Sequence, residues 1–522
     1  MTEVPSVFNS WVPNWLKIPL LILGMLPHLL LIGLFSGNAT FIASVIDADV
    51  NDLQFIMAVG YGAIVVTLLV NARLFMFMAL RNYIIVVVTC SITILLSFLL
   101  VKNYIIISTL RVLEGFFAIL QGVIFFPVIM SLIKSKHARA ISYFILYALM
   151  LSSGPLTAWT LKIITLNFGW DHIFYFLAIF HCSILIITLF LFNGNYFFPK
   201  KNLANIDWSS CLYLLICFVS GVFLILYGFR LNWFHSPYIW YSLFISLISL
   251  GLFIFRQSTQ ENPIFFLEIF KNKNVQLSLV LFASFYFIRF GYNNIYTTMI
   301  TVWKWPWENV VNFQFYNVFG VLIGVLLSAY FILKAYPSKI VFALGFLILT
   351  FNSYYISTLF DSDVSTFALL KAVTIQGIAY GLLFTPLVMY IVNAVPPEHV
   401  NNATMAATGV RFWITNSGFA LAQNLTYMFQ EKNFDTLKTN FDATKPIVSD
   451  EFDSKLAGYE QTFDTGTAEL LTQNDFANQL YQQANLVANK ELFMFYFWLA
   501  FITFIALVLS IVYSRFKNQI AK

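Results

Sequence analysis

The chain has 522 residues, of which 60% are hydrophobic and only 10% are charged, with a formal net charge of +5. So much apolar surface excludes a soluble globular protein, whose exterior has to be wetted by water. The basic residues stand singly at the ends of apolar runs and form no patch, so nucleic acid is not an expected partner.

The apolar residues occur in runs of about 20, the length at which a helix crosses a hydrocarbon core of ~30 Å. Every backbone group in lipid has to be hydrogen-bonded within its own segment, so the runs are predicted to be helices. We predict an all-α polytopic membrane protein with fourteen transmembrane helices. The predicted spans are 17–44, 53–75, 82–101, 104–133, 139–165, 172–193, 207–229, 237–256, 275–300, 310–334, 338–360, 366–395, 399–429 and 491–514.

The distribution of Lys and Arg predicts the orientation, because cytoplasmic loops carry an excess of both. With a cytoplasmic N-terminus, the short external loops hold only Lys102, Lys162, Arg230 and Lys304. Most other basic residues then lie at cytoplasmic ends, so both termini are predicted to be cytoplasmic. The polar and acidic segment 430–490 becomes an external loop, in which Glu469 to Val487 has the spacing of a short amphipathic helix.

An internal repeat relates the fourth and twelfth predicted spans. Gly122, Phe125, Pro127 and Met130 fit the pattern G-x-x-F-x-P-x-x-M, and the same pattern returns at residues 381–389. An offset of eight spans is expected if two six-span halves flank an inserted pair, which is the repeat logic of secondary transporters. Chance similarity of two Phe-rich helices is the alternative.

Five stretches along the chain carry recognisable motifs. They are Arg111-Val-Leu-Glu114-Gly115 with Gly122 and Pro127; Ser153-Gly154-Pro155 with Asn167-Phe-Gly-Trp170-Asp-His-Ile-Phe174; Glu261-Asn262-Pro263 with Leu267, Phe270 and Asn272; Ile375-Gln376-Gly377 with Pro386 and Pro396-Pro397-Glu398; and Arg411. In order and spacing, and over nearly the whole chain, they resemble the fourteen-span drug/proton antiporters of the major facilitator superfamily.

That resemblance implies the major facilitator fold, in which two six-helix bundles enclose a central cavity. The expected parts are an N-terminal bundle at 1–200, an inserted helix pair at 201–262, and a C-terminal bundle at 263–522 that includes the external loop 430–490. The inserted pair, spans 7 and 8, is expected to be peripheral.

The chain departs from this family in three places. Phe35 stands where the family usually has the aspartate of its span 1 motif, and the loop signature between spans 2 and 3 keeps only basic residues. The second glycine pair of the span 5 signature is missing after Pro155. The usual proton site of span 1 is therefore absent.

Ionisable groups at mid-membrane are costly, so each one is a functional candidate. Glu114 is the one acidic residue predicted to lie deep within a span, and Arg111 lies three residues earlier on the same helix face. We predict that Glu114 carries the coupled proton and that Arg111 tunes it. The alternative is a fixed structural ion pair, since the family usually has Gln at position 114.

Further polar residues within the spans are candidates for lining a substrate cavity, with the stabilisation of helix contacts as the alternative. They are Asn38, Arg289, Gln376, Arg411 and Asn416. Arg289 and Arg411 are suited to attract an anionic substrate.

Glycine and proline positions give the conformational candidates, which are Gly115, Pro127, Gly154, Pro155 and Pro386. Proline removes a backbone hydrogen bond and clashes with the preceding turn. Gly154-Pro155 is predicted to break the helix of span 5, giving either a hinge for alternating access or a static kink.

The predicted function is proton-coupled efflux of small amphipathic or organic compounds across a bacterial inner membrane. The alternatives are an importer or facilitator of a metabolite or siderophore with the same fold, and a membrane-embedded enzyme. No Walker loop, nucleophile–base motif or clustered metal ligand is present, so no enzyme activity, catalytic residue, metal or cofactor is expected. Expected partners are a small-molecule substrate, protons and membrane lipid, and a periplasmic adaptor protein is a candidate for the loop 430–490.

Overall fold

The structure is a computed structural model that describes residues 7–35, 39–203, 206–440 and 445–520. These residues form seventeen α-helices and no extended strand. The helices are α1 Asn14–Gly33, α2 Ala39–Val45, α3 Val50–Phe77, α4 Leu80–Phe98, α5 Tyr104–Leu132, α6 Ala138–Phe168, α7 His172–Leu191, α8 Trp208–Tyr227, α9 Pro237–Thr259, α10 Lys273–Gly291, α11 Asn293–Thr301, α12 Trp307–Leu333, α13 Ser338–Ser357, α14 Thr366–Asn393, α15 Val400–Asn440, α16 Pro446–Glu460 and α17 Thr465–Ile520. The all-helical fold expected from the sequence is confirmed.

Thirteen segments of the described chain are long and apolar enough to cross a membrane, and they include every predicted span except the thirteenth. That span lies in α15, whose membrane-length part contains Asn402, Thr404, Thr408, Arg411 and Asn416. These polar residues lower its hydropathy. However, α15 packs against α3, α8, α10, α14 and α17, which screen it from lipid.

Two predicted spans are interrupted. The first ends at Gly33, and the short helix α2 follows separately, so a single span over 17–44 is wrong. The ninth is divided at Tyr292, between α10 and α11. A third prediction fails in the opposite sense, because α6 continues through Gly154 and Pro155 as one helix from Ala138 to Phe168.

Segment 430–490 is not a loop in its described part. α15 continues to Asn440, α16 covers 446–460, and the predicted short amphipathic helix belongs to the 56-residue α17. The Asp464 carboxylate accepts hydrogen bonds from the backbone N–H and the hydroxyl of Thr467. These bonds cap the start of α17, and they lower the pKa of Asp464 because they stabilise its ionised form. We call the described residues 430–440 and 445–490 the helical hairpin, and the end of the bundle that carries them the hairpin face.

Glycines set the closest helix contacts in both halves. A side chain on Gly115 of α5 would overlap the backbone of Gly60 on α3. In the second half, Gly377 and Gly381 of α14 meet α12 backbone at Gly320 and Val321 in the same way. Close backbone approach through small residues is how membrane helices pack without a hydrophobic driving force.

The two halves meet along α3 with α15 and along α6 with α12 and α14. The inserted helix α8 packs on α3 and α15, so it touches both halves, whereas the contacts of α9 are chiefly with α8. The position of the inserted pair relative to the two bundles stays a prediction, and α8 is its member that contacts both halves. The apolar cluster around Phe218 and Phe412 joins α8 to α15.

Candidate functional site

A buried ion pair lies in the first third of α5. Arg111 and Glu114 pair through Nη1 and Oε2, and their exposed fractions are only 4% and 1%. Both residues lie about 10–15 Å along the helix from its first residue, at 1.5 Å per residue. The sequence-predicted pair is thus formed inside the membrane-spanning part of the bundle.

The surroundings of Arg111 explain how a guanidinium is held there. Its Nη1 also donates to the carbonyl of Leu31 at 3.3 Å, where α1 ends. Its guanidinium carbon lies 5.2 Å from the ring centroid of Phe35, a distance at which a cation is attracted by an aromatic face. A side chain at Gly60 would collide with the Arg111 stem, so glycine there makes room for the pair.

Glu114 is only half satisfied. Its Oε2 pairs with Arg111, while its buried Oε1 has no hydrogen-bond partner among the described residues. Leaving a buried carboxylate oxygen without a partner is costly when the group is ionised, whereas a protonated carboxyl group has less charge to satisfy. The pair with Arg111 therefore leaves one buried carboxylate oxygen of Glu114 without a partner in the described chain.

A second cluster consists of two arginines and three tyrosines, which together come from four helices. The Arg411 guanidinium of α15 lies 4.9 Å from the Tyr61 ring centroid and 5.0 Å from that of Tyr286. Arg289 of α10 lies 5.6 Å from the Tyr286 ring and 5.0 Å from the Tyr380 ring. Tyr286 thus stands between both arginines, and α3, α10, α14 and α15 all contribute to one cationic–aromatic cluster.

The hydrogen-bonding capacity of this cluster is partly unused. Gln376 donates to the Tyr380 hydroxyl at 2.7 Å, and that hydroxyl donates to the Arg289 carbonyl at 3.2 Å. The hydroxyls of Tyr61 and Tyr286 and the Gln376 carbonyl have no partner in the described chain. Neither Arg289 nor Arg411 forms an ion pair with a described carboxylate. Such groups are the ones a bound polar ligand would satisfy.

The remaining predicted site residues lie elsewhere. Asn416 accepts a hydrogen bond from Gln54 at 3.2 Å, which joins α3 to α15 across the two halves. Asn38 lies outside the described residues. Pro127 and Pro386 are inside α5 and α14 at corresponding places of the repeat, and Gly154 and Pro155 are inside α6.

Helix α3 connects the ion pair to the cationic–aromatic cluster through adjacent residues. Gly60 abuts the Arg111 stem, and Tyr61 holds the Arg411 guanidinium. Sequence reasoning missed Tyr61, Tyr286 and Tyr380, because tyrosines are common at membrane interfaces and nothing local distinguishes those three. Their position on apolar runs well away from the helix ends was the available signal.

The described residues form a bundle of membrane-crossing helices in two contacting halves, with buried charges between helices. The sequence model of the Major Facilitator Superfamily matches residues 21–422. The chain belongs to that superfamily, so it is a membrane transporter rather than an enzyme.

Individual relatives are distant. The chain is 22% identical over 359 residues to the probable multidrug resistance protein EmrY of Escherichia coli (strain K12), a match over 67% of this chain and 66% of the relative. It is 20% identical over 387 residues to the multidrug export protein EmrB of the same strain, over 72% and 73% of the two chains.

Solved structures share the fold. A POT family transporter in complex with a thioalcohol-conjugated peptide superposes with a TM-score of 0.57 at 12% identity, over 96% of both chains. A POT family transporter in complex with 5-aminolevulinic acid also gives 0.57, at 14% identity, over 81% of this chain and 92% of that one.

Proposed function

We propose that this protein is a proton-coupled exporter of small amphipathic organic compounds in a bacterial inner membrane. The observation that carries the proposal is the buried, half-satisfied Glu114 beside Arg111, because a carboxyl group that gains and loses a proton inside a bundle can couple transport to a proton gradient. The similarity to EmrY and EmrB, which are named for multidrug resistance and export, supports efflux over import.

Glu114 compensates for a residue that this chain lacks. The resembling family usually has an aspartate where Phe35 stands and a glutamine where Glu114 stands. Here Arg111 lies over the Phe35 ring and pairs with Glu114. We infer that the proton-carrying carboxylate lies in the fourth span of this chain and not in the first. Arg111 is the cation that pairs with this carboxylate.

The cationic–aromatic cluster is the proposed substrate site. Arg289 and Arg411 provide positive charge, the tyrosine rings provide flat apolar surface, and the free hydroxyls provide hydrogen bonds. This combination favours amphipathic compounds, and among them those with negative charge. Substrate at Arg411 would shift Tyr61, and α3 would pass that displacement to Gly60 and Arg111.

The proposed transport cycle is a rocking of two six-helix bundles about this site, with α15 supplying a fourteenth crossing. Both termini then lie in the cytoplasm, as the distribution of Lys and Arg favours. The helical hairpin projects on the external side, where it is a candidate contact for a periplasmic adaptor protein.

Ligand-induced proton release tests the proposal. Purified protein is titrated, in weakly buffered detergent solution, with a panel of neutral, cationic and anionic aromatic compounds. A substrate should release protons from the wild type, and Glu114→Gln should abolish the release because the amide carries no titratable proton. Glu268→Gln is the matched control, since Glu268 forms an i,i+3 pair with Lys271 that is exposed.

The substrate site is tested in the same titration. Arg411→Ala should weaken ligand binding by at least about tenfold, the effect of losing about 1.4 kcal/mol. Proton release that is unchanged in Glu114→Gln would assign Glu114 a structural role. Binding that is unchanged in Arg411→Ala would place the substrate elsewhere.

A further inference from the structure

A cavity of about 250 Å³ opens at the hairpin face, apart from the cationic–aromatic cluster. Its walls come from α3, α8 with the turn after it, and α15. The lining residues are Asn51, Ile225, Leu226, Phe229, Arg230, Ala420, Gln423, Asn424 and Tyr427. The volume lies slightly below the ~300–1,000 Å³ typical of small-molecule sites, which limits the ligand to a small compound. Each of the two halves and the inserted pair supplies one wall.

Aromatic rings form one side of this cavity. The rings of Phe229 and Tyr427 are parallel to within 11°, with centroids 6.2 Å apart, and they join the turn after α8 to α15. Both side chains are about half exposed, with fractions of 54% and 48%. Rings that stay exposed and nearly parallel present flat faces on which a planar ligand can stack.

Polar groups are also present in the walls. The side chain of Asn51 lines the cavity, and its buried Oδ1 has no hydrogen-bond partner in the described chain. An unsatisfied buried acceptor destabilises the folded protein, and a hydrogen bond from a ligand donor would remove that cost. The amides of Gln423 and Asn424 add donors and acceptors on the α15 wall.

The charge at the cavity is balanced by acidic residues. Arg230 pairs with Asp49, and its Nη1 lies 4.0 Å from Asp52. The Tyr227 hydroxyl also donates to Asp52. Two carboxylates against one guanidinium leave the rim slightly negative, so this cavity does not favour anions, in contrast to the cluster around Arg411.

We propose that this cavity is a second ligand site, which binds an uncharged planar aromatic compound with hydrogen-bonding groups. The ligand stacks against Phe229 and Tyr427 and donates to Asn51. Because the walls belong to both halves and to α8, the inserted pair contributes directly to binding, and the site lies where a transported compound would leave at the hairpin face.

Acridone, a neutral and fluorescent three-ring compound with one N–H and one carbonyl, is the probe. Binding is measured by fluorescence anisotropy to full-length protein in phosphatidylethanolamine/phosphatidylglycerol nanodiscs, so lipid competes throughout. We expect saturable binding that weakens at least tenfold in Phe229→Ala/Tyr427→Ala. Ala420→Phe should abolish it by filling the cavity, and an acridone carboxylate should bind more weakly than acridone.

The matched control is Tyr316→Ala/Phe319→Ala, which removes a similarly exposed ring pair on α12 with centroids 6.0 Å apart. It should bind acridone like the wild type, as should Arg411→Ala, so the result does not depend on the proposed transport function. The proposal is overturned if acridone does not bind, if the cavity variants bind it normally, or if Arg411→Ala alone removes binding.

Discussion

At the scale of single residues, Arg111 has a carboxylate partner in Glu114, although Phe35 stands where the resembling family usually has an aspartate. The pairing with Glu114 three residues later satisfies the guanidinium within α5, and the ring of Phe35, two residues beyond the end of α1, covers it. Spacing along a helix predicted this pair, because residues three apart share a face. The contact with Phe35 and the free Oε1 of Glu114 could not be predicted, since both depend on how α1 meets α5.

Relocating the carboxylate tests this interpretation. Glu114→Gln should lose proton-driven transport, and the double variant Phe35→Asp/Glu114→Gln should recover at least about a tenth of wild-type transport. The reason is geometric, because position 35 already lies against the Arg111 guanidinium. Transport of a dye that the binding panel identifies, measured in proteoliposomes, checks the prediction.

The control for relocation is Phe174→Asp/Glu114→Gln, which places the new carboxylate on a buried phenylalanine of α7. It should remain inactive. Equal recovery by both double variants would contradict a specific role for the space next to Arg111.

At the scale of elements, α3 and α5 cross closely enough that glycine is required on both. A methyl group on Gly60 would meet the Arg111 side chain, and one on Gly115 would meet the Gly60 carbonyl. The crossing therefore positions Arg111 and also connects it to Tyr61. The ion pair and the cationic–aromatic cluster therefore contact adjacent residues of one helix, Gly60 and Tyr61 of α3.

Gly115→Ala should destabilise the protein by about 1–3 kcal/mol, the usual cost of overpacking a close contact. Gly251→Ala is the control, because an added methyl group on α9 meets open space and alanine is a better helix former by about 1 kcal/mol. Thermal unfolding of the purified variants in detergent should show a lower midpoint for Gly115→Ala only. An unchanged midpoint would mean that the α3–α5 crossing is looser than described.

The apolar runs predicted most helices because lipid imposes both length and helical hydrogen bonding. They could not predict where a helix continues beyond the membrane, because residues 465–490 are polar. No residue near Lys490 indicates whether the amphipathic segment and the last span form one helix or two. The same limit hid the α15 extension to Asn440. The expectation that proline interrupts a helix was wrong at Gly154-Pro155, because α6 continues through Pro155.

At the scale of the whole molecule, the two halves contact each other at the hairpin face. Lys162 of α6 donates to the side chain of Asn312 on α12, and Trp159 lies 5.4 Å from Phe315 between ring centroids. Phe41 and Trp307 stack with centroids 4.6 Å apart. These contacts join the two halves at that face, and a rocking mechanism requires them to separate.

Linking the halves there should stop transport. In a background without native cysteines, Lys162→Cys/Asn312→Cys joined by a short bismaleimide should lose more than about nine-tenths of dye transport. The same linker at Lys432→Cys/Glu491→Cys, an ion pair of α15 and α17 at 3.5 Å, should leave transport intact. Full transport by the protein linked between positions 162 and 312 would rule out separation at this face.

The cationic–aromatic cluster shows why sequence alone gave candidate residues but not their arrangement. Arg289, Gln376 and Arg411 were predicted because polar groups in apolar runs are conspicuous. Tyr61 and Tyr286, which lie more than 200 residues apart in the sequence, complete the cluster around the two arginines. Only the packing of α3 against α15 and of α10 against α14 creates that neighbourhood.

We propose that Glu114 couples transport to protons. Comparing two transport modes in the same proteoliposomes tests this role most directly. Substrate exchange needs binding and rocking but no proton, whereas accumulation driven by a pH gradient needs coupling. We predict that Glu114→Gln keeps exchange within about twofold of wild type and loses gradient-driven accumulation. Accumulation at the wild-type level in Glu114→Gln would contradict the account.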